Sequence, residues 1–352
     1  MNEEKTVKNK MPLGVKVAIG ILCVVLVGGV GVFAYVQHYL GKINKVEPIE
    51  TIAPSDETFE VDEEKQMTVQ VEELDPEDIE LHITSDVMDN KDIINILLIG
   101  QDRRPGEGRA RSDSMILVTL NKKSKEIHMT SFMRDLYVEL PGDYSGNRLN
   151  AAYQFGGMEL LDKTLEENFG IKVDGNIEVD FNGFKTCIDS VGGVDIEIDQ
   201  SEADYLNTIG GGDDNPASAG VWEFHEGMNH MTGEQALAYS RIRKVGNADY
   251  QRTERQRNVL TDLFRKIKQA DLRTIMNLAD QIFPLLTTDM SKMDMMGIAV
   301  EGLKIGMSDV ETGRVPIDGS FRPAIVRGMD VLVPDLEMNR RYLQEELYGN
   351  DD

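Results

Sequence analysis

Cysteine is almost absent from this sequence of 352 residues, which contains only two. Cys23 lies inside a long apolar run that could cross a membrane, so Cys187 has no partner in the rest of the chain. We therefore expect no intrachain disulfide and no cysteine-based zinc site. The fold must be held by its hydrophobic core, and an exported chain with so few disulfides suits a bacterial exterior better than a eukaryotic secretory route.

Positive charge is also scarce, because 37 Lys and Arg residues face 62 Asp and Glu residues and the formal net charge is −25. No basic patch with interleaved aromatic residues is present, which argues against a nucleic-acid partner. The few basic residues are nevertheless concentrated in the stretch 239–257. This stretch contains Arg241, Arg243, Lys244, Arg252, Arg255 and Arg257. Because guanidinium groups bind phosphate or carboxylate through a planar pair of donors, the stretch predicts an anion-binding site.

The second half of this stretch is predicted to begin a helix. Apolar residues follow it at helical spacing, at Val259, Leu260, Leu263, Phe264 and Ile267. Arg252 and Gln256 fall on this apolar face, whereas Arg255 and Arg257 point away from it. A buried arginine needs a partner. Two interpretations therefore stay open for Arg252: an ion pair with a nearby carboxylate such as Asp249, or an anion held in a pocket.

The first half of the stretch carries Arg241 and Arg243. They follow a short predicted helix whose start is marked by a capping box, in which Thr232 and Gln235 bind each other's backbone N–H groups. If the chain is extended after this helix, both arginines point the same way. Their shared direction favours the anion pocket over a purely structural ion pair.

An uncharged apolar run extends over residues 17–36, which is about the length that crosses a bilayer. The lysines that precede it are Lys5, Lys8, Lys10 and Lys16, and the next lysine is Lys42. By the positive-inside rule, we expect the N-terminus in the cytoplasm and the C-terminal part outside the cell, with one membrane pass. A cleaved signal peptide is the alternative, but no convincing small-x-small cleavage site follows the run.

These features divide the chain into four predicted regions. They are a cytoplasmic tail at 1–16, a transmembrane helix at 17–36, an acidic extracellular stalk at 37–92 and a folded domain at 93–349. The stalk prediction rests on the composition of this part of the chain, which is rich in Asp and Glu and poor in aromatic residues. Such a composition is typical of a solvated linker.

The folded domain alternates strand and helix patterns. Apolar runs predict strands at 95–100, 115–120, 126–132, 175–180 and 193–198, with helices at 151–169 and 181–191. This alternation predicts an α/β domain with a central mixed β-sheet and helices on both faces. In such sheets, functional residues lie at strand ends and in the loops beyond them.

The loop after the first predicted strand has the composition of a phosphate site. Asp102 leaves this strand and Asp113 enters the next, so their carboxylates lie close together if the strands are neighbours. Two carboxylates suit Mg²⁺, which completes its shell with water and substrate phosphates. The arginines near this loop are Arg103, Arg104, Arg109, Arg111 and, after the third strand, Arg134. A metal with several arginines is recurrent in phosphate chemistry, whereas a simply solvated loop is the alternative.

Eight short motifs follow one another along the chain. They are Gly100-Gln-Asp-Arg-Arg104, Arg111-Ser-Asp-Ser114, Arg134-Asp135 before Pro141-Gly142, Asn150-Ala-Ala-Tyr153, Val179-Asp-Phe-Asn-Gly-Phe184, Asp189-Ser-Val-Gly-Gly-Val194, Leu237-Ala-Tyr-Ser-Arg-Ile-Arg-Lys244 and Asp249-Tyr-Gln-Arg-Thr-Glu-Arg-Gln256. As a set, they resemble the LytR-CpsA-Psr (LCP) family. The chain departs from the family at Phe132-Met133, where Ile-Pro is frequent, and at Ser240, where Val is common. Neither departure removes a charged group.

The resemblance implies an activity and a substrate. LCP proteins are phosphotransferases outside the cell that move a glycopolymer, such as wall teichoic acid or capsular polysaccharide, from a polyprenyl-pyrophosphate carrier to peptidoglycan. The anomeric phosphate travels with the polymer. The resemblance also implies that residues 93–349 form an LCP catalytic domain that encloses an apolar pocket for the lipid.

Site residues follow from the resemblance, residue by residue. Asp102 and Asp113 match the ligands of Mg²⁺, with Mn²⁺ as the alternative metal. The expected pyrophosphate-binding residues are Arg111, Arg134, Arg241, Arg243, Arg252 and Gln256. Asp249 matches a suggested proton acceptor for the incoming sugar hydroxyl, and Arg134 and Arg241 are expected to take part in catalysis with it.

Two other functions remain open from the sequence. A regulator or non-catalytic protein that only binds the carrier lipid would use the same pocket. A Mg²⁺-dependent polyprenyl-pyrophosphate phosphatase would use water as the acceptor at the same site. Polymer attachment measured against simple phosphate release separates these functions.

Overall fold

The computed structural model describes residues 37–46, 51–59, 71–84, 86–101, 109–210, 222–247, 249–305 and 310–349, with the backbone alone at Leu272 and Leu303. The strands are β1 (Asn44–Lys45), β2 (Glu72–Leu74), β3 (Ile93–Gln101), β4 (Ser112–Asn121), β5 (Glu126–Phe132), β6 (Tyr137–Val138), β7 (Asn147–Arg148), β8 (Gly175–Asp180), β9 (Val194–Ile198), β10 (Gly227–Met231), β11 (Leu286–Thr288), β12 (Val310–Val315), β13 (Phe321–Val326) and β14 (Met329–Pro334).

The helices are α1 (Leu149–Phe169), α2 (Phe181–Ser190), α3 (Gln200–Ile209), α4 (Gly233–Ser240), α5 (Asp249–Gln269), α6 (Leu272–Ile282), α7 (Lys292–Ile305) and α8 (Leu336–Leu343), which continues into a π-helical turn (Gln344–Tyr348). Helix α1 kinks at Gly157, where φ is 67°. Glycine adopts this left-handed conformation without a steric penalty, so the kink interrupts the helix that the sequence predicts as continuous.

A central mixed sheet organises the domain, with strand order β1-β11-β8-β3-β4-β5-β12. The pairs β3–β4, β4–β5 and β8–β11 are antiparallel, whereas β3–β8, β5–β12 and β1–β11 are parallel. The sequence predictions for β5 and β8 have the observed bounds, and β3 and β4 are longer than predicted. The predicted mixed α/β sheet is confirmed.

Alternating side chains of the sheet pack against helices on both of its faces. On β4, Met115 and Leu117 belong to a core cluster with residues of α1 and α8. Their neighbours Ile116 and Val118 belong to a second cluster that includes Ile305 of α7 and contacts α5. Each fully buried side chain of this size contributes about 1.5–3 kcal/mol. Both faces of the sheet are therefore covered by apolar packing.

A separate cluster surrounds helix α5 on its other side. It is formed by the antiparallel pair β9–β10 with α2, α3 and α4, and Val259 and Leu263 of α5 pack into it. Leu260 and Phe264 of the same helix contact the cluster on the central sheet. Helix α5 thus lies between two apolar layers, and its polar residues are largely enclosed.

The prediction of a stalk at 37–92 is wrong for the described residues of this range. Strand β1 pairs with β11 at the edge of the central sheet, and β2 pairs with β13. The backbone N–H of Ile52 donates to the carbonyl of Phe155 over 2.9 Å. Ile79 is 8% exposed and packs against the small β13–β14 sheet. These segments belong to the folded domain, which therefore begins before residue 93.

Two further predictions concern the membrane and the cysteines. In the described part of the chain, no helix has the length and apolar character needed to cross a membrane, and the predicted span at 17–36 lies outside it. Cys187 is a free cysteine, as predicted. Burial raises the pKa of its thiol to about 11.

Candidate active site

A cavity of about 730 Å³ lies between the central sheet and helices α2, α4 and α5. Most of its wall is apolar. The apolar lining includes Leu98, Ile116, Ile177, Val179, Phe184, Trp222, Leu237, Leu260, Leu263, Phe264, Ile267, Ile282 and Leu286. A cavity of this volume and apolar lining can enclose an apolar ligand.

Charged side chains gather in the same cavity. Its cationic lining residues are Arg134, Arg241, Arg243, Lys244 and Arg252, and its carboxylates are Asp113, Asp180 and Glu234. Gln256 and Ser114 also line it. Five cations and three carboxylates thus line one cavity of a strongly acidic protein. Guanidinium groups gathered in this way can bind a phosphate or a carboxylate.

Asp113 reaches the cavity through an irregularity in the sheet. Gly100 pairs with Ser114 and Gln101 pairs with Ser112, so Asp113 is the extra residue of a bulge between β3 and β4. Bulges turn a side chain out of the regular alternation and are frequent beside functional sites. The strands that flank the loop are thus neighbours, as the metal prediction required, while Asp102 lies outside the described residues.

The two arginines after α4 reach the cavity by a different geometry from the one predicted. Thr232 and Gln235 form the expected capping box of α4. Arg241 ends this helix with φ −103° and ψ −1°, which is not the extended backbone predicted there. Ile242 is fully buried between Arg241 and Arg243, and both arginines line the cavity. They lie on the same side because the residue between them is anchored in the core.

Arg255 holds this loop against helix α5. Its Nε lies 2.6 Å from Oε1 of Glu202, and its Nη1 donates to the carbonyl of Ile242 over 3.0 Å. Arg255 is 2% exposed and Arg257 is 7% exposed. The sequence correctly places Arg255 away from the first apolar face of α5, but that side is enclosed by a second layer of the fold. Arg257 instead donates to Ser131 Oγ of β5 over 2.8 Å and faces the central sheet, which corrects its predicted direction. Arg255 is therefore a positioning residue for the loop that carries Arg241 and Arg243.

Oppositely charged groups alternate at the polar end of the cavity. Nη1 of Arg134 lies 2.7 Å from Oδ1 of Asp113, and Nη2 of Arg243 lies 3.9 Å from the same oxygen. Oδ1 of Asp249 lies 3.2 Å from Nη1 of Arg252 and 3.5 Å from Nε of Arg243. The buried ion pair between Arg252 and Asp249 thus exists, and Arg252 also lines the cavity. The ion-pair interpretation of Arg252 is confirmed, and its interpretation as an anion-binding residue stays a prediction.

The surroundings shift the pKa of several of these groups. Burial opposes ionisation of Asp113, but the charges of Arg134, Arg252 and Arg243 outweigh it and lower the pKa of this carboxyl. Burial, together with the like charges of Arg134 and Arg243, lowers the pKa of Arg252 to about 10, despite the attraction of Asp249. Arg252 stays charged at neutral pH, but the folded protein holds this charge less favourably than water does.

Unsatisfied donors point to a ligand at this place. The Nε atom of Arg252 is buried and has no hydrogen-bond partner among the described residues. Ser114 Oγ donates to Oε1 of Gln256 over 3.0 Å, so the amide nitrogen of Gln256 remains a donor on the cavity side. The guanidinium carbon of Arg241 lies 4.7 Å from the ring centre of Phe181, which fixes the arginine by a cation–π contact.

Two predicted site residues lie apart from the cavity lining. Arg111 donates from Nε to Oε1 of Gln154 over 3.0 Å and is not a lining residue. Asp249 is 9% exposed, contacts Arg243 and Arg252, and is not a lining residue either. Its contacts orient two of the lining arginines, and its role as proton acceptor stays a prediction.

The structure also adds residues that the sequence reasoning missed. Asp180 and Phe181 line the cavity where β8 meets α2, and Asp180 caps α2 by accepting from the N–H of Gly183 over 2.7 Å. Asp135 supports Arg134, whose Nε lies 3.5 Å from its Oδ1. The junction of β8 and α2 is a strand end, which is the place where such residues are expected.

Comparison with known proteins decides the family. Residues 53–344 match the model of the LytR_cpsA_psr family. The chain belongs to this family. The match starts before residue 93, in agreement with the segments of the supposed stalk that pair with the domain.

Three named proteins are similar to this chain. It is 31% identical to the polyisoprenyl-teichoic acid–peptidoglycan teichoic acid transferase TagV of Bacillus subtilis (strain 168), over 76% of this chain and 68% of TagV. It is 36% identical to the corresponding transferase TagU of Bacillus mycoides (strain KBAB4), over 49% of this chain and 52% of TagU. The alignment thus spans about half the length of TagU. The regulatory protein MsrR of Staphylococcus aureus (strain COL) is 32% identical, over 69% of this chain and 71% of MsrR.

Solved structures of LytR_cpsA_psr proteins share the fold. The crystal structure of Bacillus subtilis TagV has a TM-score of 0.57 and 30% identity, covering 74% of this chain and 99% of that one. TagT bound to LI-WTA has a TM-score of 0.60 and 26% identity, covering 76% of this chain and 96% of that one. These similarities agree with the mixed α/β sheet described above.

Proposed function

We propose that this LytR_cpsA_psr protein transfers a glycopolymer phosphate, such as that of wall teichoic acid or a capsular polysaccharide, from a polyprenyl-pyrophosphate carrier to peptidoglycan. The observation that carries the proposal is the two-part cavity, with a long apolar wall and a cluster of arginines. A prenyl pyrophosphate has the same two parts, an apolar chain and a pyrophosphate. The names of TagU and TagV as teichoic acid transferases support the same reaction.

The cavity residues have distinct roles in this proposal. The pyrophosphate is bound by Arg134, Arg241, Arg243, Arg252 and Gln256. In the reaction, a sugar hydroxyl of peptidoglycan forms a new P–O bond to the phosphate that carries the polymer. The pyrophosphate P–O bond breaks, prenyl phosphate leaves with the electron pair, and the proton of the attacking hydroxyl passes to Asp249, the proton acceptor that the family resemblance implies. Such transfers depend on positioning and charge neutralisation more than on covalent help from the protein. The arginines neutralise the charge that develops on the leaving phosphate.

Mg²⁺, or Mn²⁺ in its place, is part of the proposal, with Asp102 and Asp113 as its protein ligands. Oδ1 of Asp113 binds Arg134, whereas Oδ2 accepts no hydrogen bond from the described residues. An ionised carboxylate with one free oxygen fits a metal that is held by one or two carboxylates plus water and phosphates. No group of three or more His, Cys, Asp or Glu side chains suited to a metal occurs among the described residues. When bound, the metal would neutralise phosphate charge.

A transfer assay tests the reaction. The full-length protein in vesicles receives a polyprenyl-pyrophosphate-linked glycopolymer, peptidoglycan and Mg²⁺. Polymer that becomes covalently attached to peptidoglycan, with release of prenyl phosphate, supports the proposal. Release of free phosphate products without attachment would instead identify a phosphatase.

The second candidate function is a non-catalytic, regulatory one. It is suggested by the similar protein MsrR, which is named a regulatory protein. In this case the protein would bind the carrier lipid and release no product. Binding of prenyl pyrophosphate with neither attachment nor hydrolysis in the transfer assay would decide for this role.

The cellular location is also proposed. The apolar run at 17–36 would anchor the protein in the cell membrane, with the catalytic domain outside, next to the carrier lipid and peptidoglycan. A reporter enzyme that is active only outside the cytoplasm and is fused after residue 352 is expected to be active. A second fusion with a reporter that works only in the cytoplasm should be inactive, and activity of this second fusion would contradict the proposed topology.

A further inference from the structure

Helix α7 is apolar on both its inner and its outer face. On the inner face, Met295 is 8% exposed and packs with residues of the central sheet. On the outer face, Met293 is 63% exposed and Val300 is 47% exposed, and they share one side of the helix because they are seven residues apart. The helix also carries Lys292, Asp294, Glu301 and Lys304, so charged side chains flank the exposed apolar ones. Among the described residues, nothing covers its outer face.

Helix α6 carries a further exposed apolar side chain. Ile275 of α6 is 40% exposed. We call the exposed side chains of Ile275, Met293 and Val300 the outer apolar face. Large apolar side chains exposed on one side of a helix, such as Met293 and Val300, can mark a contact site.

The first described residues of the chain lie against these two helices. The side-chain amide of Gln37 lies 3.0 Å from the sulfur of Met296 and 4.0 Å from that of Met293. Tyr39 donates to Asp280 of α6 over 3.3 Å, and Lys42 forms an ion pair with the same carboxylate. The apolar run of the sequence ends at residue 36, immediately before Gln37. The chain therefore enters the domain at α6 and α7.

The charge of the segment that contains α6 and α7 differs from that of the whole chain. Residues 266–305 contain five basic residues (Lys266, Lys268, Arg273, Lys292 and Lys304) and five acidic ones (Asp271, Asp280, Asp289, Asp294 and Glu301). Their balance is neutral in a chain of net charge −25. A neutral segment can approach an anionic lipid surface that a strongly acidic one would avoid.

We propose that the outer apolar face rests on the outer surface of the lipid bilayer and fixes the orientation of the domain. The inference rests on the proposed membrane anchor, because an anchor that ends at residue 36 brings α7 to the lipid surface. Ile267, Ile282 and Leu286, which line the apolar part of the cavity, belong to the same segment of chain. The docked orientation would therefore turn the lipid-binding part of the cavity toward the membrane that supplies the lipid.

Fluorescent labels at single positions test this orientation in the full-length protein. Met293→Cys and Val300→Cys place a label on the outer apolar face. Met338→Cys is the matched control, because Met338 is 40% exposed on α8, which packs on the opposite face of the central sheet. The native thiol of Cys187 contributes little background, since its raised pKa of about 11 keeps it protonated. Labelling of the unsubstituted protein gives the background fluorescence from the native cysteines.

The labelled proteins are reconstituted into vesicles of phosphatidylcholine and phosphatidylglycerol that carry a spin label near the lipid headgroup. We expect the spin-labelled lipid to quench most of the fluorescence at positions 293 and 300 and to leave position 338 unchanged. Equal quenching at all three positions, or none at 293 and 300, would overturn the proposal. Shielding of 293 and 300 from aqueous iodide without quenching by lipid would identify a protein, such as a second copy of the chain, as the occupant.

A charge on the outer apolar face tests its role in catalysis. The double variant Met293→Glu and Val300→Glu is expected to lose quenching at a label placed on Ile275→Cys and to slow transfer from a long-chain carrier in vesicles. Binding of geranyl pyrophosphate, which is short and needs no bilayer, should be unchanged. If geranyl pyrophosphate fails to bind even to the unsubstituted protein, the proposed function is wrong, whereas the quenching result still decides the orientation.

Discussion

Replacement of Asp113 by alanine is expected to lower glycopolymer transfer by about 10³-fold or more, because it removes a group that holds charge-neutralising partners at the phosphates. Asp113 stands on a bulge of β4, binds Arg134 at 2.7 Å and presents a second oxygen to the cavity. The measurement is the initial rate of polymer attachment at saturating Mg²⁺. Binding of Mg²⁺ in the presence of prenyl pyrophosphate is expected to weaken in parallel.

The conservative variant Asp113→Asn provides the control for this result. Asparagine keeps the size of the side chain and can still accept a hydrogen bond from Arg134, but it lacks the charge. We expect near-native folding and a loss of transfer similar to that of the alanine variant. Transfer at the native rate by either variant would show that Asp113 holds no metal and neutralises no charge in the reaction.

Replacement of Arg252 by alanine is expected to separate stability from ligand binding. Because the folded state holds the charge of Arg252 unfavourably, as its lowered pKa of about 10 indicates, its loss should leave the melting temperature nearly unchanged or slightly raised. Asp249 keeps Arg243 as a partner at 3.5 Å and is not left unpaired. Binding of polyprenyl pyrophosphate should weaken by about 2–4 kcal/mol, the range for loss of one partner of a buried charged contact.

Arg255 offers a matched control on the same helix. It is as deeply buried as Arg252, but it binds Glu202 and the backbone of the loop instead of lining the cavity. Arg255→Ala leaves a buried carboxylate unpaired and is expected to destabilise the domain by about 3–5 kcal/mol. Melting temperatures without ligand, and the shifts produced by added polyprenyl pyrophosphate, distinguish the two variants. A large drop for Arg252→Ala with its ligand-induced shift preserved would make Arg252 structural.

The sequence predicts those parts of the fold that have a long and regular pattern. Strands β3 and β4 contain continuous apolar runs, so their positions follow from the sequence, whereas their pairing is only a condition of the metal prediction and is established by the fold. The arginine cluster is equally visible, because these residues are scarce elsewhere. Arg241 and Arg243 do point to the same side, but the extended backbone predicted for them is wrong. Their common direction results from the burial of Ile242, which depends on the whole fold.

Other parts of the structure have no local signal. The segments within 37–92 that join the domain are strands of two and three residues, too short for any periodic pattern. Their acidic composition is that of a linker, although pairing with β11 and β13 fixes them. The burial of Arg255 could not be predicted from the sequence for another reason. Periodicity identifies only one apolar face of α5, whereas the helix is packed on both sides by layers of the domain.

If the apolar run at 17–36 is the membrane anchor proposed above, the pairing of β1 with β11 limits the distance between the domain and the membrane. Strand β1 begins at Asn44, eight residues after the end of the apolar run at residue 36. Eight extended residues reach at most about 28 Å, whereas a free stalk of 56 residues would reach about 190 Å. An anchored domain on so short a connection cannot sample the depth of the cell wall. It would attach polymer only to glycan strands that lie directly above the membrane, so that the age of a peptidoglycan layer, and not diffusion of the enzyme, would determine which layer is modified.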